Sequence, residues 1–337
     1  MPHKKQFRPH RYKGRFYNQP DEQNRSTVLP SFIMLFEWYW NTLRKGGFDR
    51  NVWFAPEAPL QRSEELAITW IGHSTFLIQA AGINILTDPV FGHLPFFRRQ
   101  IKPGIELPHM PPIDFVIISH NHRDHMDAPA LTFLKHHPEC TFLVPLGDGE
   151  WFRSRGFKHV REYTWWEQDS FTRVEIQFLP AQHWSQRGLL DYNTSLWGSW
   201  MLKLGGHTIY FAGDTAYHSH FSAIAKEFST ITHALMPIGP CEPRRWMKKT
   251  HMNAEESVQA FIDLNAHYFF PMHWGTFNFG TDHPEAPYER LLAAWNKEKF
   301  SHDRLVSLKA GQRFIPPAIP PTEVVVPYKK SQSPIEL

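Results

Sequence analysis

The chain has 337 residues, 42% hydrophobic and 20% charged, the composition of a folded globular protein able to bury one large core or two small ones. Its net charge of +3 is too small for the cationic surface that nucleic-acid binding needs. Two cysteines, Cys140 and Cys241, are too few for a disulfide scaffold and point to a reducing, cytoplasmic setting.

Residues 1–63 read as a basic N-terminal arm followed by an amphipathic helix. The arm carries Lys4, Lys5, Arg8, Arg11, Lys13, Arg15 and Arg25 against Asp21 and Glu22, the pattern of a segment lying over a surface or partly disordered. It lacks the apolar stretch and cleavage site of a secretory signal. Over 31–45, Phe32, Leu35, Phe36, Tyr39, Trp40 and Leu43 recur at helical spacing behind Ser31 as cap, and such a stripe packs on a main domain more often than on a membrane. The apolar run 32–36 is cut by Glu37, far short of the ~18–20 residues that span a bilayer. Residues 64–315 alternate strand and helix patterns. They begin with a meander over 67–87 and an apolar strand over 113–119, then a helix capped by Asp127 with Leu131 and Leu134 on its apolar face. Strand-then-loop units follow, ending near 180, 213 and 272, and Asn253-Ala254-Glu255-Glu256 is a capping box opening a further helix. Residues 316–337 hold six prolines and form a tail without core pattern. These patterns give an α/β protein with a mixed sheet.

Directly after the apolar strand at 113–119 stands His120-Asn121-His122-Arg123-Asp124-His125. Three imidazoles and a carboxylate within six residues face one point only on a tight loop, and the set suits zinc or a similar borderline metal rather than calcium or magnesium. His120 and His122 converge on one ion, while Asp124 and His125 point to a neighbouring position, so the spacing suggests two metals and hydrolysis by a metal-activated hydroxide. His183, Asp214 and His273 each follow another apolar run, at the strand ends where α/β sheets place their sites. With 21 histidines in the chain, one such placement is expected by chance; four strand ends delivering seven ligand-type residues is a different matter.

His-x-His-x-Asp-His, followed by a lone His, a lone Asp and a final His, resembles the metallo-β-lactamase superfamily. The flanking words narrow the resemblance. Gly14-Arg15-Phe16-Tyr17-Asn18, Thr69-Trp70-Ile71-Gly72-His73, Leu86-Thr87-Asp88-Pro89-Val90-Phe91, Gln182-His183-Trp184, Phe211-Ala212-Gly213-Asp214-Thr215 and His273-Trp274-Gly275-Thr276-Phe277 are similar to N-acyl-phosphatidylethanolamine-hydrolysing phospholipase D over roughly 14–315. The resemblance implies a four-layer αββα sandwich of two mixed β-sheets with the metals in a cleft along one edge. It also implies two zinc ions per chain, a homodimer, and cleavage of N-acylphosphatidylethanolamine to an N-acylethanolamine and phosphatidic acid.

The roles then divide by chemistry. His120, His122 and His183 suit a first metal and Asp124, His125 and His273 a second. Asp214 is the natural bridge because a carboxylate ligates two cations with its two oxygens, and Asp124 is placed to aim the hydroxide. Asp88 is expected behind a metal-bound imidazole, and His73 either orients the site or fills a turn. His251 precedes the capped helix and follows Arg244, Arg245, Lys248 and Lys249, a combination suited to a phosphate group. Trp184, Trp274, Phe277 and Phe279 are expected at the pocket mouth, with Arg123 near the headgroup, although the animal branch leads one to expect an aromatic at 123. The arm and the 31–45 helix suit the inner face of an anionic membrane, at about 1 kcal/mol per charge. Three rivals stand. A lactonase or other ester hydrolase would share the metal set; a mononuclear iron dioxygenase would leave Asp124, His125 and His273 unexplained; and a non-catalytic binding protein would be expected to have lost ligands, and none is lost.

Overall fold

The computed structural model describes residues 7–18 and 49–317; the predicted 31–45 helix and the Pro-rich tail from 318 onward lie outside them. A hairpin of β1 (His10–Tyr12) and β2 (Arg15–Tyr17) comes first. The first sheet then takes β3 (Ala67–Gly72), β4 (Thr75–Ala80), β5 (Ile83–Thr87), β6 (Phe115–Ile117), β7 (Thr141–Pro145) and β8 (Val160–Tyr163). The second takes β9 (Gln168–Phe171), β10 (Val174–Leu179), β11 (Ser199–Leu204), β12 (His207–Phe211), β13 (Ile231–Pro237) and β14 (Ala266–Met272), after which β15 (Arg313–Phe314) returns to the edge of the first sheet beside β3. β3 to β5 form the expected antiparallel meander, β5 to β8 are parallel, and β12 to β14 are parallel. Both sheets are therefore mixed.

The alternation of β6 explains its unbroken apolar run. Phe115 and Ile117 point between the sheets, where they join Trp70, Trp200, Leu202 and Phe211 in the main core. Val116 and Ile118 point the other way, against Leu131 and Leu134 of α1 (Ala128–Leu134) and Phe152 of α2 (Gly149–Arg153). A strand covered on both faces reads as continuous rather than alternating hydrophobicity. Beyond the second sheet lie α3 (His220–Glu227), α4 (Arg244–Met247), α5 (Ala254–Leu264) and α6 (Ala286–Lys297); Phe261 of α5 packs edge-on to Phe269 of β14 and onto Trp295 of α6. Helix, sheet, sheet and helix make the four layers. Asp127 caps α1 and Asn253 with Glu256 forms the capping box of α5, both as their sequences dictate.

The segments before β3 belong to this body. Phe7 and Phe16 are buried, and Trp197 donates to Asn18 Oδ1 at 3.1 Å, so the described part of the arm is seated rather than free. Trp53 packs edge-on to Trp274, and Phe54 bridges to Ala310.

At one edge the sheets are tied together just beneath the ligand loops. The Trp200 indole donates to Ile118 O at 2.9 Å, and Gly198 N donates to Ser119 O at 3.0 Å. Gly213, one residue before Asp214, holds φ +59°, and a Cβ there would stand 2.5 Å from Ser119 Cβ. Only glycine adopts that backbone freely and leaves room for the neighbouring loop. Gly213→Ala is expected to destabilise the fold by about 2 kcal/mol or more, from the left-handed backbone and the steric overlap together. Urea unfolding checks this, and an unchanged midpoint would contradict the contact.

Candidate metal centre

Four strand ends and their loops converge in the cleft between the sheets. His120 Nε2 and His122 Nδ1 lie 2.8 Å apart, and His183 Nε2 is 3.3 Å from His122 Nδ1. Three ring nitrogens cannot all donate to one another. The separation of His122 from His183 equals the ~3.3 Å edge of a tetrahedron with zinc–nitrogen bonds of ~2.0–2.1 Å, and that of His120 from His122 is shorter. Two of the three rings are aimed from behind, while the far nitrogen of His122, Nε2, is buried without a hydrogen-bond partner. Ser119 Oγ is 2.9 Å from His120 Nδ1, and the Thr250 carbonyl is 2.8 Å from His183 Nδ1, leaving both Nε2 atoms for the cleft.

The second group lies beside the first. His273 Nε2 is 3.0 Å from Asp214 Oδ2 and 3.6 Å from Asp124 Oδ2, and His125 Nε2 is 3.3 Å and 3.4 Å from the same two oxygens. Yet His125 Nε2, His273 Nε2 and Asp214 Oδ1 are all buried without a hydrogen-bond partner, a configuration that a cation satisfies and protein groups alone do not. Asp214 Oδ2 is also 3.9 Å from His183 Nε2, so its carboxylate stands between the groups. Behind this pair, Asp88 Oδ2 accepts from His125 Nδ1 at 2.7 Å and from Ser119 Oγ at 2.6 Å, while Oδ1 accepts from Ser119 N at 2.7 Å. One buried carboxylate thus orients His125 directly and His120 through Ser119. The Gly239 carbonyl does the same for His273 Nδ1 at 3.0 Å.

Electrostatics follow the same division. Burial keeps His120 well below the ordinary imidazole value, and pushes His122 down to about 4 and His183 to about 3; these rings are neutral at pH 7, as ligands must be. Burial also opposes a charge on His125 and His273, but Asp214 and Asp124 outweigh it, raising His125 strongly and His273 to about 9. Protons there balance two carboxylates that a metal would otherwise balance. Burial raises Asp88, against the opposing bonds from His125 and Ser119.

His73, at φ +55°, places Nε2 3.3 Å from Asp124 Oδ2 and its ring centroid 4.1 Å from that of His273, beside the second group rather than in a remote turn. His251 reaches the cleft with Nδ1 3.6 Å from Asp214 Oδ2, and burial depresses it to about 3. An open cavity of about 430 Å³ leads down to the ligands, lined among others by Arg123, Trp184, Arg187, Met247, His251 and Phe279. Trp184 and Phe279 are therefore at the mouth as expected, with Arg123 beside them. Phe277 and Trp274 are not. Phe277 is buried with Val90 and Leu94 and meets the His73 ring edge-on, and Trp274 stacks between Trp70 and Tyr288 in the core. Arg244 is also unavailable to a ligand, because its guanidinium is spent on Glu256 and on the His251 carbonyl. Arg187 was not anticipated. It donates to Met126 O at 2.6 Å and Asn121 O at 3.3 Å, bracing the metal loop from beneath, and Asp148 accepts from the Asn121 amide at 2.9 Å.

The profile of the β-lactamase superfamily domain matches residues 83–274, more than half of the chain. The chain belongs to this superfamily and carries its metallo-hydrolase fold. It is 35% identical over 233 residues to N-acyl-phosphatidylethanolamine-hydrolyzing phospholipase D 1 of Caenorhabditis elegans, across 64% of this chain and 65% of that one. It is 34% identical over 241 residues to the mitochondrial N-acyl-phosphatidylethanolamine-hydrolyzing phospholipase D of Saccharomyces cerevisiae, across 67% of this chain and 52% of that one. The chain thus spans just under two thirds and about half of the lengths of these relatives. Among solved structures, the isothiocyanate hydrolase of Delia radicum gut bacteria superposes with a TM-score of 0.61 at 18% identity, over 75% of this chain and all of that one.

Two outcomes are expected at this site. Asp88→Asn keeps the fold by circular dichroism and weakens zinc binding by about 10–100-fold, the usual effect of removing the group behind a ligand; unchanged affinity would contradict the orienting role. Asp214 and Asp124 raise His273 to about 9 and His125 in the same direction, so the His273 proton is present at pH 7 and is lost as pH rises through that raised value. Zinc binding at pH 7 should therefore release protons and tighten towards alkaline pH. Calorimetry in buffers of different ionisation enthalpy reads the release, and binding that releases none would contradict it.

Proposed function

We propose that the chain is a dinuclear zinc phosphodiesterase of phospholipase D type, acting on N-acylphosphatidylethanolamine-like lipids at the inner face of a membrane. The observation that carries this reading is the presence of two adjoining ligand groups with Asp214 between them, under a cavity walled by Trp184, Met247 and Phe279. The likeness to two phospholipases named for that substrate supports the lipid. A mononuclear iron dioxygenase would have no use for Asp124, His125 and His273 beside a complete histidine triad.

His120, His122 and His183 would hold one ion, Asp124, His125 and His273 the other, and Asp214 both. Such a pair, when bound, draws charge from phosphoryl oxygens and brings the pKa of a water near 7. The chain's own groups do the rest. Asp124 accepts a hydrogen bond from the attacking water and fixes its direction, and His73 steadies that carboxylate. The water oxygen bonds to phosphorus as the bond from phosphorus to the ethanolamine oxygen breaks, and the departing oxygen takes up a proton. His251, neutral through burial, donates a hydrogen bond to the phosphate or the departing oxygen rather than a positive charge. Trp184, Met247 and Phe279 receive apolar chain, and Arg123 lies where a second anionic group of the lipid would pass.

Zinc-loaded protein is to be incubated with N-acylphosphatidylethanolamine and with bis-p-nitrophenyl phosphate, and the products followed by mass spectrometry. Release of N-acylethanolamine, abolished in Asp124→Asn and lowered about 10²-fold in His251→Ala with zinc retained, is the expected result. Cleavage of the generic ester alone would remove the lipid, and activity on neither would favour a lactone or another ester on the same metals.

A further inference from the structure

A second cavity, of about 510 Å³, shares no lining residue with the one over the ligands. Its titratable lining is Arg50, His93, Arg99 and Lys102, and among the described residues no carboxylate lines it. Arg99 is only 8% exposed. Its Nε donates to Ile101 O at 2.8 Å, Nη1 to Val90 O at 2.9 Å and Nη2 to Ile71 O at 2.9 Å. These bonds take one proton from each nitrogen and leave a second on Nη1 and Nη2. Space for the guanidinium is built into the backbone. At Gly72, with φ +125°, a Cβ would stand 2.3 Å from Nη2.

Three carbonyls satisfy hydrogen bonds but do not balance a charge, and a buried charge without a counter-ion is costly. Among the described residues no carboxylate makes an ion pair with Arg99. Asp127 acts on it only through its field, because its oxygens serve Ala130 N and Phe91 N. Burial accordingly pushes the guanidinium down to about 9. The cations around it are uncommitted. Arg50 and Lys102 are exposed, and neither makes a hydrogen bond or ion pair among the described residues. His93 Nδ1 accepts from Arg99 N at 3.0 Å, so its proton sits on Nε2, a further donor. Asp49, the acidic residue beside Arg50, accepts from Asn51 N at 3.0 Å. Phe54, Phe91 and Ile101 give the cavity an apolar wall.

We infer that this cavity is a binding site for a small phosphorylated organic molecule, its phosphate taken by Arg99, Arg50 and Lys102 and its carbon body by Phe54, Phe91 and Ile101. A phosphate monoester brings nearly two negative charges at neutral pH and three acceptor oxygens. That supplies the counter-ion Arg99 lacks and leaves charge for the two exposed cations. A single carboxylate would balance Arg99 alone, and inorganic phosphate would leave the apolar wall without a partner. The volume is that of a small-molecule site. The inference uses neither the metals nor the lipid reading, so each can fail without the other.

The probe is phenyl phosphate, with phenol and inorganic phosphate as controls, titrated into the full, zinc-loaded chain and followed by amide hydrogen exchange, which separates this cavity from the metal cleft. Phenyl phosphate is expected to protect residues 90–103. Inorganic phosphate should do so about tenfold more weakly, and phenol not at all. The double variant Arg50→Glu/Lys102→Glu, altered only at exposed positions, should keep its zinc and lose about tenfold or more in affinity at that segment. Arg99→Gln keeps neutral donors without the charge and should lose the protection altogether; if that variant fails to fold, the double variant decides. Protection confined to the ligand loop at 120–125 would place the probe on the metals alone and overturn the inference. Equal protection by phenol or by inorganic phosphate would overturn it too, as would an unchanged affinity in the double variant.

Discussion

Close approach of the two sheets between Ser119 and Gly213 governs the rest of the molecule. His120 begins one residue after Ser119 and Asp214 one residue after Gly213, and the space between them excludes even a methyl group. Trp200, reaching across to Ile118 O, ties the sheets at the same level. Ligands from two separate sheets reach one cleft because the backbones beneath them are in contact. A metal site needs its donors held to a fraction of an ångström, and the contacting strand ends beneath the ligand loops supply that rigidity.

Charge is the second constraint. Asp124 and Asp214 are withdrawn from water among imidazoles, and a buried carboxylate without a partner is costly. Two resolutions are available to the same residues: protons on His125 and His273, or cations between them and the carboxylates. The first leaves nitrogens facing oxygens without proper hydrogen bonds; the second uses every one of those atoms. Metal binding and proton release are thus two faces of a single balance, with Asp88 holding the geometry through both.

Legibility in the sequence tracked how locally each feature is encoded. His120, His122, Asp124 and His125 are contiguous, and His183, Asp214 and His273 each follow an apolar strand, so strand pattern alone places them at one edge. The caps at Asp127 and Asn253 are equally local. The carbonyls of Thr250 and Gly239, which aim His183 and His273, carry no residue identity and leave no trace in a sequence. Arg187 braces a loop more than sixty positions earlier, and Arg244 pairs with Glu256 on the next helix; neither contact has a periodicity to reveal it. Phe277 and Phe279 are two residues apart on an irregular stretch, where nothing in the pattern says which turns inward to His73 and which faces the cavity. The sandwich of four layers came from family resemblance, since alternating strand and helix patterns fix only the class.

Metal content tests the central claim most directly. Elemental analysis of the purified chain, grown with zinc and freed of loosely held ions, should return two metal ions per chain, falling towards one in His183→Ala, which removes a ligand from the histidine triad. One ion per chain in the wild type, or none, would contradict a dinuclear cleft built around Asp214.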